Sequence, residues 1–193
     1  MEKSIKITNE KLLKIAGVVD LSGTLFVAAE GALYANDEQL EAINSLLENE
    51  TALENKILTA KKEKLKASVD AAAEKERLRY ITDGVGQSMT YTEKFNQAVD
   101  YSKKYAAHQA DPKNVTAPVE NEYPLLRASI GIDGSSMIEV AETVTYAFAL
   151  WEKIGAAIEG IRLKAKAAIG DAKTEESAQA IFAAIRWPNE LST

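Results

Sequence analysis

The side chains that could perform catalysis are few in this 193-residue chain. His108 is the only histidine and cysteine is absent, so a nucleophilic triad or a histidine-ligated metal site would have to use that one imidazole. His108 lies near a predicted helix end, where a cationic side chain complements the helix dipole. Most carboxylates lie on polar faces of predicted helices, without the apolar surroundings that raise a pKa for acid–base catalysis. We therefore predict that the protein is not an enzyme and uses no cofactor or metal.

Three other patterns could bind a ligand, and each has a simpler interpretation. The glycines at 84–86 and 131–134 lack the lysine and the preceding strand that phosphate-binding loops require, so they indicate helix ends. Four lysines lie within 61–66, but neighbouring glutamates and a net charge of −6 argue against nucleic acid as a partner. Tyr101 and Tyr105 could stack against sugars or bases, although their helical spacing favours core packing.

The elements that must position these residues differ between the first 36 residues and the rest. Residues 4–8 alternate polar and apolar side chains, and the apolar clusters at 15–19 and 25–29 are separated by glycines. Such a pattern is typical of short strands joined by turns. We predict a small β-containing N-terminal attachment region at 1–36. A short helix over 9–16 is the competing interpretation.

Residues 37–82 are predicted to form one long helix. Asn36 is placed as its N-cap and Gln39 as the reciprocal partner in a capping box. The helix would be on the order of 65 Å long, too long and too rich in lysine and glutamate to be wrapped inside so small a domain. Its apolar residues follow a heptad pattern, which predicts a coiled-coil stalk that covers its seam with a partner helix, either from another copy or from the C-terminal half of the same chain. The expected oligomer interface consists of Ile43, Leu46, Leu53, Ile57, Ala60, Ala67, Ala71, Leu78 and Ile81.

Residues 83–193 are predicted to form a C-terminal helical domain. The segment 83–86 should end the stalk, and Thr90 with Glu93 should open the next helix. A proline-containing loop at 111–124 should then connect to the second half of this domain.

The second half of that domain carries the most regular apolar pattern of the chain. Ser136 and Glu139 form a capping box in front of a long helix with an uninterrupted apolar seam, on which Trp151 should be a core residue. Thr174 should cap a last short helix that folds back as a helical hairpin. The predicted fold class is therefore mainly α, with a small β-containing head, a long coiled-coil helix and a C-terminal helical hairpin or bundle.

Several short matches to a known group of proteins cover about 78–188. The matching residues in the first half of this range are Tyr80-Ile81-Thr82-Asp83-Gly84-Val85-Gly86-Gln87-Ser88-Met89-Thr90-Tyr91, Lys94 and Ala98. Those in the second half are Ile138-Glu139-Val140-Ala141, Trp151, Ala157-Ile158-Glu159, Arg162, Ala165-Lys166-Ala167-Ala168-Ile169 and Thr174. By the order of these matches the chain resembles a group of tailed-bacteriophage and prophage proteins associated with tails and tail fibres. The resemblance implies a non-catalytic virion or tail-assembly protein.

These observations predict a structural component of a phage tail or tail-fibre apparatus that self-associates, plausibly as a trimer, and contacts other tail or fibre proteins. Neither nucleic acid nor a membrane is an expected partner. The first residues lack the apolar run of a signal peptide, so we expect synthesis in the host bacterial cytoplasm and a final location in the virion tail. The alternative is a tail-fibre assembly chaperone that leaves before the virion is complete. A hydrolase or carbohydrate-binding module would need a pocket around Tyr101, Tyr105 and His108.

Overall fold

The computed structural model describes residues 3–82 and 84–188 and confirms the mainly helical fold with a small N-terminal sheet. The chain forms two compact units, each assembled from segments that are distant in sequence. The first consists of Met1–Asp70 and Leu163–Ile185, and the second of Ala71–Arg162 and Arg186–Thr193. The linear division at 36/37 and 82/83 is therefore not the division into compact units. Each unit is described separately.

The first unit begins with a three-stranded antiparallel sheet. Strands β1 (Lys3–Lys6), β2 (Leu25–Val27) and β3 (Ala32–Ala35) lie in the order β1-β3-β2, with β3 in the centre. The expected head is thus present, and the competing helix is present as well. Helix α1 (Asn9–Ala16) begins after Thr8, whose side chain accepts a hydrogen bond from the backbone N–H of Lys11.

The apolar cluster at 15–19 was predicted as a strand, and that prediction is wrong. Ile15 lies in α1, and the backbone N–H groups of Val18 and Val19 donate to the Ile15 carbonyl at 2.9 Å, which continues the helix end as a turn. Ile15 is fully buried because this helical turn directs it into the core of the unit.

The long helix expected at 37–82 is divided into two. Helix α2 (Asp37–Glu48) has the predicted capping box, with reciprocal hydrogen bonds between Asn36 and Gln39. Asn49 interrupts the helix with a non-helical backbone (φ −125°, ψ 87°), and its side chain accepts from the Ala52 N–H at 3.0 Å. Asparagine competes for backbone hydrogen bonds in this way, which explains the break. Helix α3 (Glu50–Arg77) then runs for 28 residues.

The core of the first unit joins the sheet to the helices. Its buried residues come from β3, α1, α2, α3 and the β1–α1 connection, namely Ile7, Ile15, Leu33, Ile43, Leu46 and Leu53. The carboxyl end of helix α6 (Met137–Asp171) also belongs to this unit, as does helix α7 (Glu175–Ala183). The Lys62 ammonium donates to the Gly170 carbonyl at 3.0 Å, and Lys166 pairs with Asp70 at 2.6 Å. These contacts join α3 to α6 in antiparallel orientation.

Two predicted boundaries in the second unit differ from the structure. Helix α3 ends at Arg77 rather than near residue 82, and helix α4 (Val85–Ala110) begins five residues before the predicted start at Thr90. Thr90 is inside α4, where its hydroxyl donates to the Gly86 carbonyl at 2.9 Å instead of capping the helix. Asp83, part of the predicted stop, lies outside the described residues.

The proline-containing segment at 111–124 is not an irregular loop over its whole length. A 3-10 helix (Glu120–Glu122) and the one-turn helix α5 (Pro124–Arg127) follow an irregular stretch. Tyr123, which lies between them, is buried and joins a core made of Ala98, Tyr101, Tyr123, Leu126, Met137, Val140 and Ala141. Its hydroxyl donates to Asp100 at 2.7 Å and accepts from Lys104 at 3.1 Å, which fixes this segment against α4.

The cap of α7 agrees with the sequence pattern, and the predicted capping box of α6 is present in part. The Ser136 hydroxyl accepts from the Glu139 N–H at 3.4 Å as predicted, but the Glu139 carboxylate accepts from the N–H of Ser135, at 2.8 Å, where a capping box would use that of Ser136. Thr174 caps α7 by accepting from the Ser177 N–H at 3.2 Å. Among the residues that the structure describes, no helix combines the length and apolar character that crossing a bilayer requires.

Candidate functional site

The nine residues predicted as one oligomer seam occupy three different environments. Ile43, Leu46 and Leu53 lie in the core of the first unit, with exposed fractions of 0%, 9% and 5%. The other residues do not continue this buried row. Ile57, Ala60 and Ile81 are half-buried, whereas Ala67, Ala71 and Leu78 are exposed.

This distribution has two causes. The break at Asn49 divides the heptad pattern between two helices. In addition, the buried apolar side chains of α3 beyond Leu53 are Val69 in the first unit and Ala73 in the second, both fully buried. Ala71 and Ala73 are two positions apart and therefore point to opposite sides of an α-helix. The chain therefore does not expose a continuous apolar seam over 43–81.

One part of the predicted seam remains accessible, in a groove of the first unit. The groove has a volume of about 630 Å³, and one face of α3 forms its floor. The half-buried Ile57 and Leu58 supply the accessible apolar part of this floor, next to Leu53, which is only 5% exposed. Eight charged side chains surround them, namely Lys11, Lys14, Lys61, Lys173, Glu50, Glu54, Glu175 and Glu176. We call this feature the charged groove.

Ion pairs within the chain hold several of these charges. Lys61 pairs with Glu175, and Lys14 pairs with Glu10 at 3.1 Å. The bond to Glu10 is the largest contribution that raises the pKa of Lys14, and the nearby charges of Glu50 and Glu54 add to it. These ion pairs set the pattern of charge around the groove.

The second unit contains a cleft of about 440 Å³ between the first half of α4 and the middle of α6. Its aromatic lining residues are Tyr80, Tyr91, Phe95, Phe148 and Trp151. The hydroxyl-bearing side chains of Thr82, Ser88, Thr92 and Thr143 also line it, together with Lys94 and Asp133. We call this feature the aromatic cleft. Trp151, predicted as a core residue, is only half-buried because it lines this cleft.

Contacts between side chains hold the cleft in shape. Phe95 of α4 stacks on Phe148 of α6, with ring centroids 3.8 Å apart and an interplanar angle of 13°. Lys94 forms an ion pair with Asp133 at 2.5 Å, and this pair is largely removed from solvent on the lysine side, which is 16% exposed. The Tyr91 hydroxyl donates to Thr82 at 3.2 Å. The cleft therefore offers preformed apolar surface, and these polar groups are already engaged with one another.

Asp133 reaches the cleft from a tight loop before α6. Gly131 has φ +84°, a left-handed conformation that suits glycine, and its N–H donates to the Gly134 carbonyl at 2.7 Å. A Cβ at Gly134 would lie 2.7 Å from the backbone nitrogen of Val140, so only glycine allows the loop to approach α6 so closely. The sequence predicts only a helix end at these glycines. It does not predict Asp133 or Phe148 as lining residues of a cleft, because no periodic pattern links them to α4.

Half of the residues that line this cleft are among those that carry the sequence resemblance. These seven are Tyr80, Ile81, Thr82, Ser88, Tyr91, Lys94 and Trp151. They come from the connection after α3, from α4 and from α6, which are distant along the chain. Most of the matching residues lie elsewhere, and those at 165–169 and Thr174 belong to the first unit.

Several titratable side chains make hydrogen bonds or ion pairs that hold local structure. His108 lies 2.6 Å from the Val115 carbonyl through Nδ1, which holds the end of α4 to the following segment. Hydrogen bonds from Ser135 lower the pKa of Glu139, and Arg162, followed by Arg77, lowers that of Glu159. A general acid at neutral pH needs a raised carboxyl pKa instead. Within residues 3–82 and 84–188, no group of three or more histidine, aspartate or glutamate side chains is placed to hold a metal ion.

A hydrolase or carbohydrate-binding module would need a pocket around Tyr101, Tyr105 and His108. Tyr105 lines an open pocket of about 580 Å³, but Tyr101 and His108 are not among its lining residues. Tyr101 is 5% exposed and contacts Tyr123 edge to face, with centroids 5.2 Å apart. Burial is the main cause of the raised pKa of Tyr101, which disfavours its use as a nucleophile. No family model, curated protein or solved structure matches this chain.

Proposed function

We propose that the protein is a non-enzymatic structural component of a bacteriophage tail or tail-fibre apparatus. In this proposal it is synthesised in the host cytoplasm, self-associates, and is retained in the virion tail through contacts with other tail or fibre proteins. The observation that carries the proposal is the aromatic cleft, a preformed apolar surface in which seven of the 14 lining residues also carry the sequence resemblance. Exposed apolar surface of this kind is suited to contact with another protein.

The cleft is suited to binding an apolar part of a protein partner. Tyrosine and tryptophan supply large contact areas with few rotatable bonds, and such residues dominate the energetics of protein interfaces. Lys94 and Asp133 also line the cleft, and their charges are paired with each other at 2.5 Å. The charged groove supports the second element of the proposal, because the apolar floor of α3 is the accessible remainder of the predicted self-association surface.

The proposal is tested by quantitative mass spectrometry of particles purified from the phage or prophage that carries the gene. We expect the protein in a fixed copy number per particle. Absence from mature particles, together with binding to a fibre protein in lysates, would support the chaperone alternative. Absence from both would refute a role in the tail.

Two variants then test the cleft itself. Tyr91→Ala removes a half-exposed aromatic ring that lines the cleft, and Tyr146→Ala removes a more exposed ring of α6 outside it. We expect Tyr91→Ala to lower incorporation into particles severalfold and Tyr146→Ala to leave it unchanged, with equal circular dichroism spectra. Equal incorporation of both variants would remove the cleft as the binding surface.

A further inference from the structure

The charges on the floor of the charged groove change sign along α3. Glu50 and Glu54 lie at the amino end of the floor, and Lys61 lies at its carboxyl end. Leu53 and Ile57 occupy the positions between them. Because residues 50, 54, 57 and 61 are three or four positions apart, they share one face of the helix. A second α3 that runs in the opposite direction would therefore meet opposite charge at both ends.

The walls of the groove carry the reverse order. Lys11 and Lys14 of α1 accompany the acidic end, since the charges of Glu50 and Glu54 act on Lys14. Glu175 and Glu176 of α7 accompany the basic end, where Glu175 pairs with Lys61. Lys173 also lies on this wall and is the exception to the pattern. The charges of the walls therefore change sign along the groove in the opposite order to the charges of α3.

We propose that the charged groove is a two-fold self-association surface on which the α3 helices of two copies pair in antiparallel orientation. This inference rests on the self-association in the proposed function and names its surface. Glu54 of each copy lies beside Lys61 of the other, and Lys11 and Lys14 lie beside Glu175 and Glu176. Ile57 packs near the two-fold axis.

The distribution of charges around the groove indicates that the partner on this surface is a second copy of the chain. A two-fold interface brings one surface against itself, so opposite charges must lie at symmetric positions of the same surface. The groove carries four lysines and four glutamates around an apolar centre, and all of them except Lys173 follow this order. Parallel pairing of the same helices would place Glu54 beside Glu54 and Lys61 beside Lys61. The surface therefore favours an antiparallel dimer over the coiled-coil trimer that the sequence suggested.

Charge-reversal variants of the full-length protein test this arrangement by analytical ultracentrifugation at low salt. Lys61→Glu and Glu54→Lys should each raise the dissociation constant on the order of tenfold, because two symmetric pairs change from attraction to repulsion. The double variant Glu54→Lys with Lys61→Glu should recover association. An equimolar mixture of the two single variants should form a heterodimer, and added salt should weaken all attractive combinations.

Lys56→Glu is the matched control, since Lys56 is an exposed lysine of α3 outside the groove. It should leave the dissociation constant unchanged. Thermal unfolding of each variant separates a lost contact from a lost fold, because Lys61→Glu also removes the internal pair with Glu175. Self-association that persists equally in both single variants, or a double variant that stays dissociated, would overturn the antiparallel surface alone. A wild-type protein that is monomeric at high concentration would overturn the self-association of the proposed function as well.

Discussion

Leu53 and Ile57 belong to the same predicted seam, and the structure assigns them different roles that a pair of alanine variants can separate. Leu53 is 5% exposed and packs in the core with Ile7, Ile15, Leu33 and Ile43. Ile57 is half-buried, packs against that core and lines the charged groove. We therefore expect Leu53→Ala to lower the free energy of unfolding and Ile57→Ala mainly to weaken association.

The magnitude follows from burial. A leucine that is almost fully enclosed loses about 2–5 kcal/mol when it is truncated to alanine, through lost transfer energy and the cavity left behind. This is a large share of the roughly 5–15 kcal/mol that stabilises a typical domain. Ile57→Ala should cost about half as much or less, since part of its side chain already contacts water. With a urea m-value of about 3 kcal/mol per molar, Leu53→Ala should lower the unfolding midpoint by about 0.7–1.7 M.

The assay is urea unfolding followed by circular dichroism, at a protein concentration below the association range so that only the fold is measured. Ultracentrifugation of the same variants then reports association. If Leu53→Ala abolished association while its unfolding midpoint remained within about 0.2 M of the wild type, Leu53 would be an interface residue and its placement in the core would be refuted.

Two further predictions concern the second unit. Gly134→Ala should lower the free energy of unfolding by about 1–3 kcal/mol, because the new Cβ meets the backbone of Glu139 and Val140. Gly160→Ala, in α6 with open space around the Cβ, should raise it by up to about 1 kcal/mol. Thermal melts should therefore show melting temperatures that shift in opposite directions, and shifts in the same direction would contradict the prediction. Glu159→Gln should destabilise the protein at pH 7 and have little effect near pH 3, because Arg162 and Arg77 lower the pKa of Glu159 in the folded state. A lowered carboxyl pKa contributes stability above the unfolded value, and this stability is lost as the pH falls through the folded value. A destabilisation that is the same at both pH values would show that the ion pairs do not contribute.

The sequence alone determined the features that depend on residues a few positions apart. Asn36 with Gln39 and Thr174 with Ser177 form caps as the local pattern predicts, because the bonded groups are three residues apart and need no other part of the chain. The mainly helical class and the β-containing head follow in the same way from periodicity and glycine placement.

Tertiary structure decided which side of each helix is buried and which residues meet. The heptad pattern of α3 suggested Ala67, Ala71 and Leu78 as contact residues, yet in the first unit Val69 is the buried position, in the segment where α3 bonds to α6. Lys62 and Gly170 are 108 residues apart in the chain, and no local pattern records such a contact. The aromatic cleft likewise exists only because Phe148 reaches Phe95 across two helices. A helix of mixed apolar, lysine and glutamate residues has more than one face that could be buried. The face that is buried is the one that a distant part of the chain packs against.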